Sequence, residues 1–321
     1  MPFIAFDLEG PLSPNDNAYE LMGLFPGGEG VFEVISRYDD LLTLEGREGY
    51  EPGDTLCLIL PFLLHHGIGR RHIEELAEKA GLVAGAAETV SRLHSLGWGV
   101  GLVTTTYHPY AYSLARRIGI PPERVAATPF PPEAEDGLPP GVEAAVTGVE
   151  AEIAPLRPET DDALVKQRLD NFFYELLPTT FLAHLMEAVK PVGGWRKVAA
   201  LKSLSPLPLS EVAAVGDSIT DCRMLETVDR EGGLAVAFNA NQYALPYATC
   251  GLASTHISDI LPLLEAWGQG GREAARQWVS RQEEKGHRSR LHWLEGGDYE
   301  AALPVHREVR RLVRSRAAML G

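Results

Sequence analysis

The sequence predicts an α/β fold: a Rossmann-like, doubly wound parallel sheet with an inserted helical cap. Three observations carry that prediction. Short continuous apolar runs recur at Phe3–Phe6, Val100–Val103, Val212–Val215 and Leu234–Phe238, as in strands buried on both faces. Segments of helical periodicity separate them, which is the alternation of a parallel sheet. Three of the runs also lead into a polar residue, Asp7, Thr104 or, after Gly216, Asp217. Such sheets place their chemistry at the carboxyl ends of the strands.

The elements follow in order. Some ninety residues separate the first two runs, too many for one crossover. Within them Leu56–His66 and the amphipathic stretch at 70–80 have helical spacing, so residues 14–80 read as the helical cap. Residues 1–13, 81–128 and 190–264 are then the core. Residues 129–158 contain Pro-Phe-Pro-Pro-Glu-Ala-Glu-Asp-Gly-Leu-Pro-Pro-Gly and predict an irregular, acidic excursion. Helical spacing returns over 160–189, with Leu164, Leu169, Phe172, Phe173, Leu176 and Leu177 on one broad face, so 129–189 forms a second insertion. Residues 265–321 predict a C-terminal helical extension. Its basic stretch, 307–316, reads as a solvated helix face, and its helices are the surface offered to a protein partner or a second copy of the chain.

Composition narrows the function. The 321 residues are 45% hydrophobic and 23% charged, ordinary globular proportions that exclude collagen, coiled coil and disorder as global descriptions. The length suits two domains, or one with insertions. With 29 basic and 44 acidic side chains the net charge is −15, which gives no field to gather DNA, RNA or anionic lipid. The longest apolar stretch, Leu56–Leu64, is broken by Pro61 and falls short of the roughly 20 residues of a membrane span. Cys57, Cys222 and Cys250 form no CxxC pair, so neither a zinc framework nor a disulfide framework is indicated. Together with an N-terminus lacking a basic n-region, this predicts a cytoplasmic protein without nucleic-acid or membrane partners.

Four segments carry the chemistry, and their order matters more than any one of them. Asp7-Leu-Glu9-Gly10 puts two carboxylates on one loop after a buried strand. Thr104 brings a hydroxyl to the end of the next strand. Lys197 opens the helix Lys-Val-Ala-Ala-Leu-Lys-Ser-Leu. Gly216-Asp217-Ser-Ile-Thr-Asp221 places two acids four apart at a further strand end. His65, His66 and His72 lack the spacing of a ligand triad and are read as ordinary helix and linker residues.

With these motifs the chain resembles the haloacid dehalogenase (HAD) superfamily of phosphohydrolases, in its phosphoserine-phosphatase-like branch, over Pro2–Asn17, Leu82–Ile120 and Gly193–Leu264. The resemblance implies a Mg²⁺-dependent phosphatase or phosphotransferase acting on a small phosphorylated metabolite. Asp7 would be the nucleophile that becomes an aspartyl-phosphate. Mg²⁺ would be held by Asp7, the backbone carbonyl of Glu9 and Asp217, with Asp221 as a further ligand or water-orienting group. Thr104 and Lys197 would bind the phosphoryl group, and Glu9 would act as acid and then base. The family usually has Asp where Glu9 stands; a similar Asp-Leu-Glu-Gly occurs in a phosphoserine:homoserine phosphotransferase branch, so water and another hydroxyl both remain as acceptors. Asp16 matches the position of an acid facing the substrate, and Asn239 that of a residue near the metal's outer shell. The cap stretch Cys57–Leu64 has no Arg or Lys where phosphoserine phosphatases hold the substrate carboxylate, which argues against phosphoserine. The competing reading is a catalytically weak HAD-fold subunit that binds a partner protein.

Overall fold

A computed structural model of the chain describes residues 2–131, 138–157, 161–284, 290–294, 299–315 and 317. Seven strands form one sheet: β1 (Phe3–Phe6), β2 (Gly99–Tyr107), β3 (Val125–Thr128), β4 (Val212–Gly216), β5 (Leu234–Phe238), β6 (Cys250–Leu252) and β7 (Leu291–Trp293). Their spatial order is β3-β2-β1-β4-β5-β6-β7. The first six are parallel, and β7 closes the edge antiparallel to β6. The four expected runs are all strands, and β1 sits in the middle because its four residues are apolar and all buried. Its side chains alternate between two cores: Ile4 and Phe6 face one, Phe3 and Ala5 the other, as the two-residue period of a strand requires.

Strand order reverses between β1 and β4, so a crevice opens beyond their carboxyl ends. Asp7 follows β1 and Asp217 follows β4, on the two sides of that point. Phe6 is in register with Leu102 on one side and Val215 on the other, so β1 and β4 end nearly level while β2 runs on to Tyr107.

Between β1 and β2 lie α1 (Asn17–Met22), α2 (Gly28–Glu45), α3 (Thr55–His65), α4 (Arg70–Lys79) and α5 (Ala86–Ser95); α6 (His108–Ile118) follows β2. Between β3 and β4 come α7 (Pro140–Ile153), α8 (Asp162–Asp170), α9 (Phe181–Ala188) and α10 (Gly194–Leu204). The two insertions form a common helical layer in which α2 and α3 pack on α7, α8 and α9. Arg37 grips Asp162 through two hydrogen bonds of 2.9 and 2.6 Å, and Arg47 and the Tyr38 hydroxyl both bind Asp170. Such two-pronged contacts fix relative orientation as well as adding energy.

Two expectations are corrected here. Residues 129–158 are not irregular throughout, since Val142, Val146, Val149 and Ile153 line the buried face of α7; 132–137 and 158–160 lie outside the described residues. Leu164 and Leu176 do not share a buried face with Leu169, Phe172, Phe173 and Leu177: they are 37% and 48% exposed, Leu164 because α8 buries Val165 and Leu169 instead, and Leu176 where the helix beyond Asp170 widens to a π-turn and shifts the register.

After β4 come α11 (Cys222–Arg230), then α12 (Leu261–Glu284), kinked at Gly270–Gly271, and α13 (Tyr299–Arg314). The buried face of α13 consists of Ala302, His306, Val309, Arg310 and Arg314. The basic stretch is therefore not a solvated face alone. Two of its arginines point into the protein, and burial holds His306 down at about 3 and so neutral. Among the described residues no helix is long and apolar enough to cross a membrane.

Candidate active site

Asp7 leaves β1 with its side chain buried. One carboxylate oxygen accepts from the Leu8 N–H at 2.7 Å, and the other meets the Lys197 ammonium at 2.8 Å. Lys197 is itself fully buried on the first turn of α10 and reaches the Asp221 carboxylate at 2.5 Å. The other Asp221 oxygen accepts from the backbone N–H groups of Asp217 and Ser218 at 2.9 and 3.1 Å. Asp221 thus folds the loop after β4 onto itself while holding Lys197 in place. Asp7, Asp217 and Asp221 present carboxylate oxygens within 4.8 Å of one another. Residues 7, 197, 217 and 221 therefore meet at one point.

Two close approaches make this packing possible. Gly10 has φ +102°, and a Cβ there would lie 2.3 Å from the Asp217 carboxylate; only glycine permits both the backbone and the contact. Likewise Gly193 and Gly194 let the cap loop 51–54 lie against the start of α10, where the Trp195 N–H donates to Glu51 at 3.0 Å and Arg196 pairs with Asp54. The helix carrying Lys197 is thereby pinned to the cap.

Burial explains the electrostatics. Desolvation, then repulsion from Asp221, raises Asp7 to about 7 against the pull of Lys197. Burial would lower Lys197, but Asp221 and Asp7 outweigh it and hold the ammonium above its ordinary range. Glu9 is pushed well up by burial and by Asp16, although the Asn17 N–H donates to it at 2.6 Å. A carboxyl raised in this way keeps its proton to higher pH than a free one.

The remaining expected residues divide. Asp16 caps α1, accepting from the Tyr19 N–H at 3.0 Å, and lines the cavity over Asp7 with Glu9. Thr104 is wholly buried and its hydroxyl accepts from the Thr106 N–H at 3.2 Å. The cavity wall is instead formed by Thr105 and Thr106, since β2 runs on to Tyr107. Asn239 does not line the cavity: its amide is spent on both backbone groups of Ser254, at 2.7 and 2.9 Å, in a left-handed loop residue with φ 47°. It is a structural amide, of the kind that tolerates this backbone region. Away from this site, His72 accepts from the Gly69 N–H, while His65 and His66 gather with Glu150.

Arg310 and Arg314 were not among the expected site residues. Both are buried; Arg310 binds the Asp217 carboxylate, and Arg314 binds the same oxygen at 2.9 Å. Helical spacing was the available signal: 302, 306, 310 and 314 fall on one face, where the first two are an apolar and a neutral buried residue.

Do these residues suit a divalent cation? The other Asp217 oxygen is buried and has no hydrogen-bond partner, Gly10 leaves room beside it, and the donor set is carboxylate oxygen. Hard cations such as Mg²⁺ prefer such ligands, so the residues fit.

Comparison with known proteins bears on the fold. No protein-family model and no curated protein matches the chain. Among solved structures, the gene product AF1437 from Archaeoglobus fulgidus has a TM-score of 0.86 and 28% identity, over 100% of this chain and 99% of that one. A HAD family hydrolase from Salmonella enterica serovar Typhi has a TM-score of 0.52 and 12% identity, over 81% and 70%. A phosphoserine phosphohydrolase-like protein from Francisella tularensis has 0.51 and 14%, over 82% and 100%. The sheet order, the helical insertion after β1 and these likenesses show the fold to be that of the haloacid dehalogenase superfamily.

Proposed function

We propose that the protein is a phosphomonoester hydrolase, or a phosphotransferase, that works through an aspartyl-phosphate on Asp7. One observation carries the reading: the Asp7 carboxylate stands at a strand end with a fully buried lysine at 2.8 Å and opens onto a cavity shared with Glu9. An oxygen of Asp7 attacks phosphorus and the bond to the leaving oxygen breaks, with the Glu9 proton passing to that oxygen. Glu9, now a carboxylate, takes a proton from the acceptor hydroxyl, which attacks phosphorus and releases Asp7. Lys197 offsets negative charge on Asp7 and on the transferring group, and Asp221 holds Lys197 there. Thr105 and Thr106, which line the cavity beside Asp7, border the phosphoryl position.

Asp7, the Glu9 carbonyl and Asp217 would hold Mg²⁺, with Asp221 acting through Lys197 and the 217–218 backbone. The ion would supply charge neutralisation between phosphate and carboxylates. The substrate is a small phosphorylated metabolite: the wall over Asp7 is built from Asp16, Phe32, Ser36, Asp39 and Thr55, with no cap Arg or Lys to pair a carboxylate.

Colour release from p-nitrophenyl phosphate with and without Mg²⁺, and a mass increase of one phosphoryl group on Asp7 after acid quench, test this reading. An intact protein giving neither would be the non-catalytic subunit instead.

A further inference from the structure

Arg310 and Arg314 put two buried cations onto the acid that the proposed cation site needs. Both touch one oxygen of Asp217, and the second oxygen is left bare. Arg310 also donates to the backbone carbonyls of Asp217 and Asn239, at 3.3 and 3.4 Å, so it grips the loop as well as the side chain. Arg314 stands between two acids, with Asp217 at 2.9 Å and Asp16 at 4.0 Å. Burial costs a guanidinium dearly unless carboxylates face it; Asp217, Asp16, Glu9 and Asp7, in that order, hold Arg314 above its ordinary range against that burial.

Charge counting shows the consequence. The floor brings together Asp7, Asp217 and Asp221 against Lys197, Arg310 and Arg314, three acids and three bases. Three buried carboxylates alone would bind a dication tightly. Here three bases already offset most of that charge, with Asp16 a fourth acid beside Arg314.

We infer that Arg310 and Arg314 are positioning residues of the cation site: they fix the Asp217 carboxylate with one oxygen bare and lower the affinity with which that oxygen holds a divalent cation. The C-terminal helix is thereby a working part of the site. The inference rests on the proposed cation site, not on turnover. A positive charge one carboxylate's width from the bare oxygen repels a dication strongly in a poorly screened interior. Arg314, which has Asp16 on its other side, is the member whose removal leaves the Arg310 grip intact.

The test is Mg²⁺ binding by titration calorimetry on the full chain, with thermal unfolding to verify folding. Arg314→Ala binds Mg²⁺ roughly tenfold or more tightly than wild type, because a repelling charge is gone. Arg314→Lys keeps the charge and stays close to wild type, an outcome that mere loss of packing would not produce. Asp217→Asn removes the gain from Arg314→Ala in the double variant. Should Arg314→Ala fail to fold, Arg314→Gln takes its place with the same expected direction. An affinity within twofold of wild type, or a weaker one, in a folded Arg314 variant overturns the inference, as does absence of Mg²⁺ binding to all folded forms. Phosphoryl transfer to Asp7 is measured separately, so a shifted Mg²⁺ affinity without phosphoenzyme would leave this inference standing while the catalytic reading fails, and phosphoenzyme with unshifted affinity would do the reverse.

Discussion

The floor of the site contains two clusters of buried charge built on opposite plans. In the first, one base serves two acids: Lys197 lies between Asp7 and Asp221. In the second, two bases serve one acid: Asp217 lies under Arg310 and Arg314. The first is assembled from strand ends and an adjoining helix, with Lys197 and Asp221 only 24 residues apart. The second joins Asp217 to residues 93 and 97 positions later, on a helix beyond the last strand. Neither is neutral alone, and each offsets part of the other's charge. The parallel sheet supplies the reactive cluster, and the C-terminal helix supplies its counterweight.

The largest effect should come from the reactive cluster. Asp7→Asn should abolish phosphoryl transfer while the fold persists, because a neutral amide is nearly isosteric but cannot attack phosphorus. Steady-state release of p-nitrophenol checks it. Near-wild-type turnover would exclude covalent catalysis at Asp7.

Next comes Glu9→Gln, expected to slow turnover by about 10²–10⁴-fold, the usual worth of a positioned acid–base group. Mg²⁺ affinity should survive, since the Glu9 carbonyl is unchanged. With p-nitrophenol as a good leaving group, phosphoenzyme should accumulate in quench-flow, because its breakdown still needs a base. An unchanged steady-state rate would make Glu9 structural only.

Lys197→Met turns from rate to stability and sharpens the contrast between the clusters. It strands two buried carboxylates at once, for which a loss of about 3–5 kcal/mol is expected. Arg314→Met should cost less, because Arg310 still serves Asp217. Urea unfolding of both variants decides. A larger loss for Arg314→Met would mean that the C-terminal helix, not Lys197, dominates the stability of the floor.

Much of the first cluster was legible in the sequence, and of the second only Asp217. Asp7, Thr104 and Asp217 announced themselves because apolar runs precede them, and Lys197 because its helix resembles a known pattern. The Thr104 reading stopped too early: Thr105, Thr106 and Tyr107 continue β2, but polar β-branched residues after Val103 look like the strand's end. The strands β3, β6 and β7 have only three or four residues each, too few for a periodic signal. Helix α7 was hidden by flanking prolines and glycines, although its valines recur at helical spacing. Arg310 and Arg314 were hardest of all. A basic stretch is ordinarily solvated, and only docking of α13 decides which of its arginines turn inward.

The last comparison sets the floor against its cap wall. Asp39 on α2 is buried and accepts a hydrogen bond from the Tyr50 hydroxyl at 2.5 Å, a phenol where the floor's carboxylates have ammonium or guanidinium partners. Burial raises it from 3.8 to about 7. Between those values the unfolded chain has released the proton and the folded one keeps it, so the folded state binds more protons. Stability contributed by this group is therefore full below about pH 4 and is lost as pH rises toward 7, at up to about 1.4 kcal/mol per pH unit. Asp7 is raised to about 7 as well and adds a slope of the same sign, so wild type should weaken steadily over this range. Asp39→Asn cannot titrate. It should flatten the dependence, and relative to wild type it should gain stability between pH 4 and pH 8. Urea unfolding at each pH reads this directly. Parallel curves for variant and wild type would show that Asp39 titrates alike in both states.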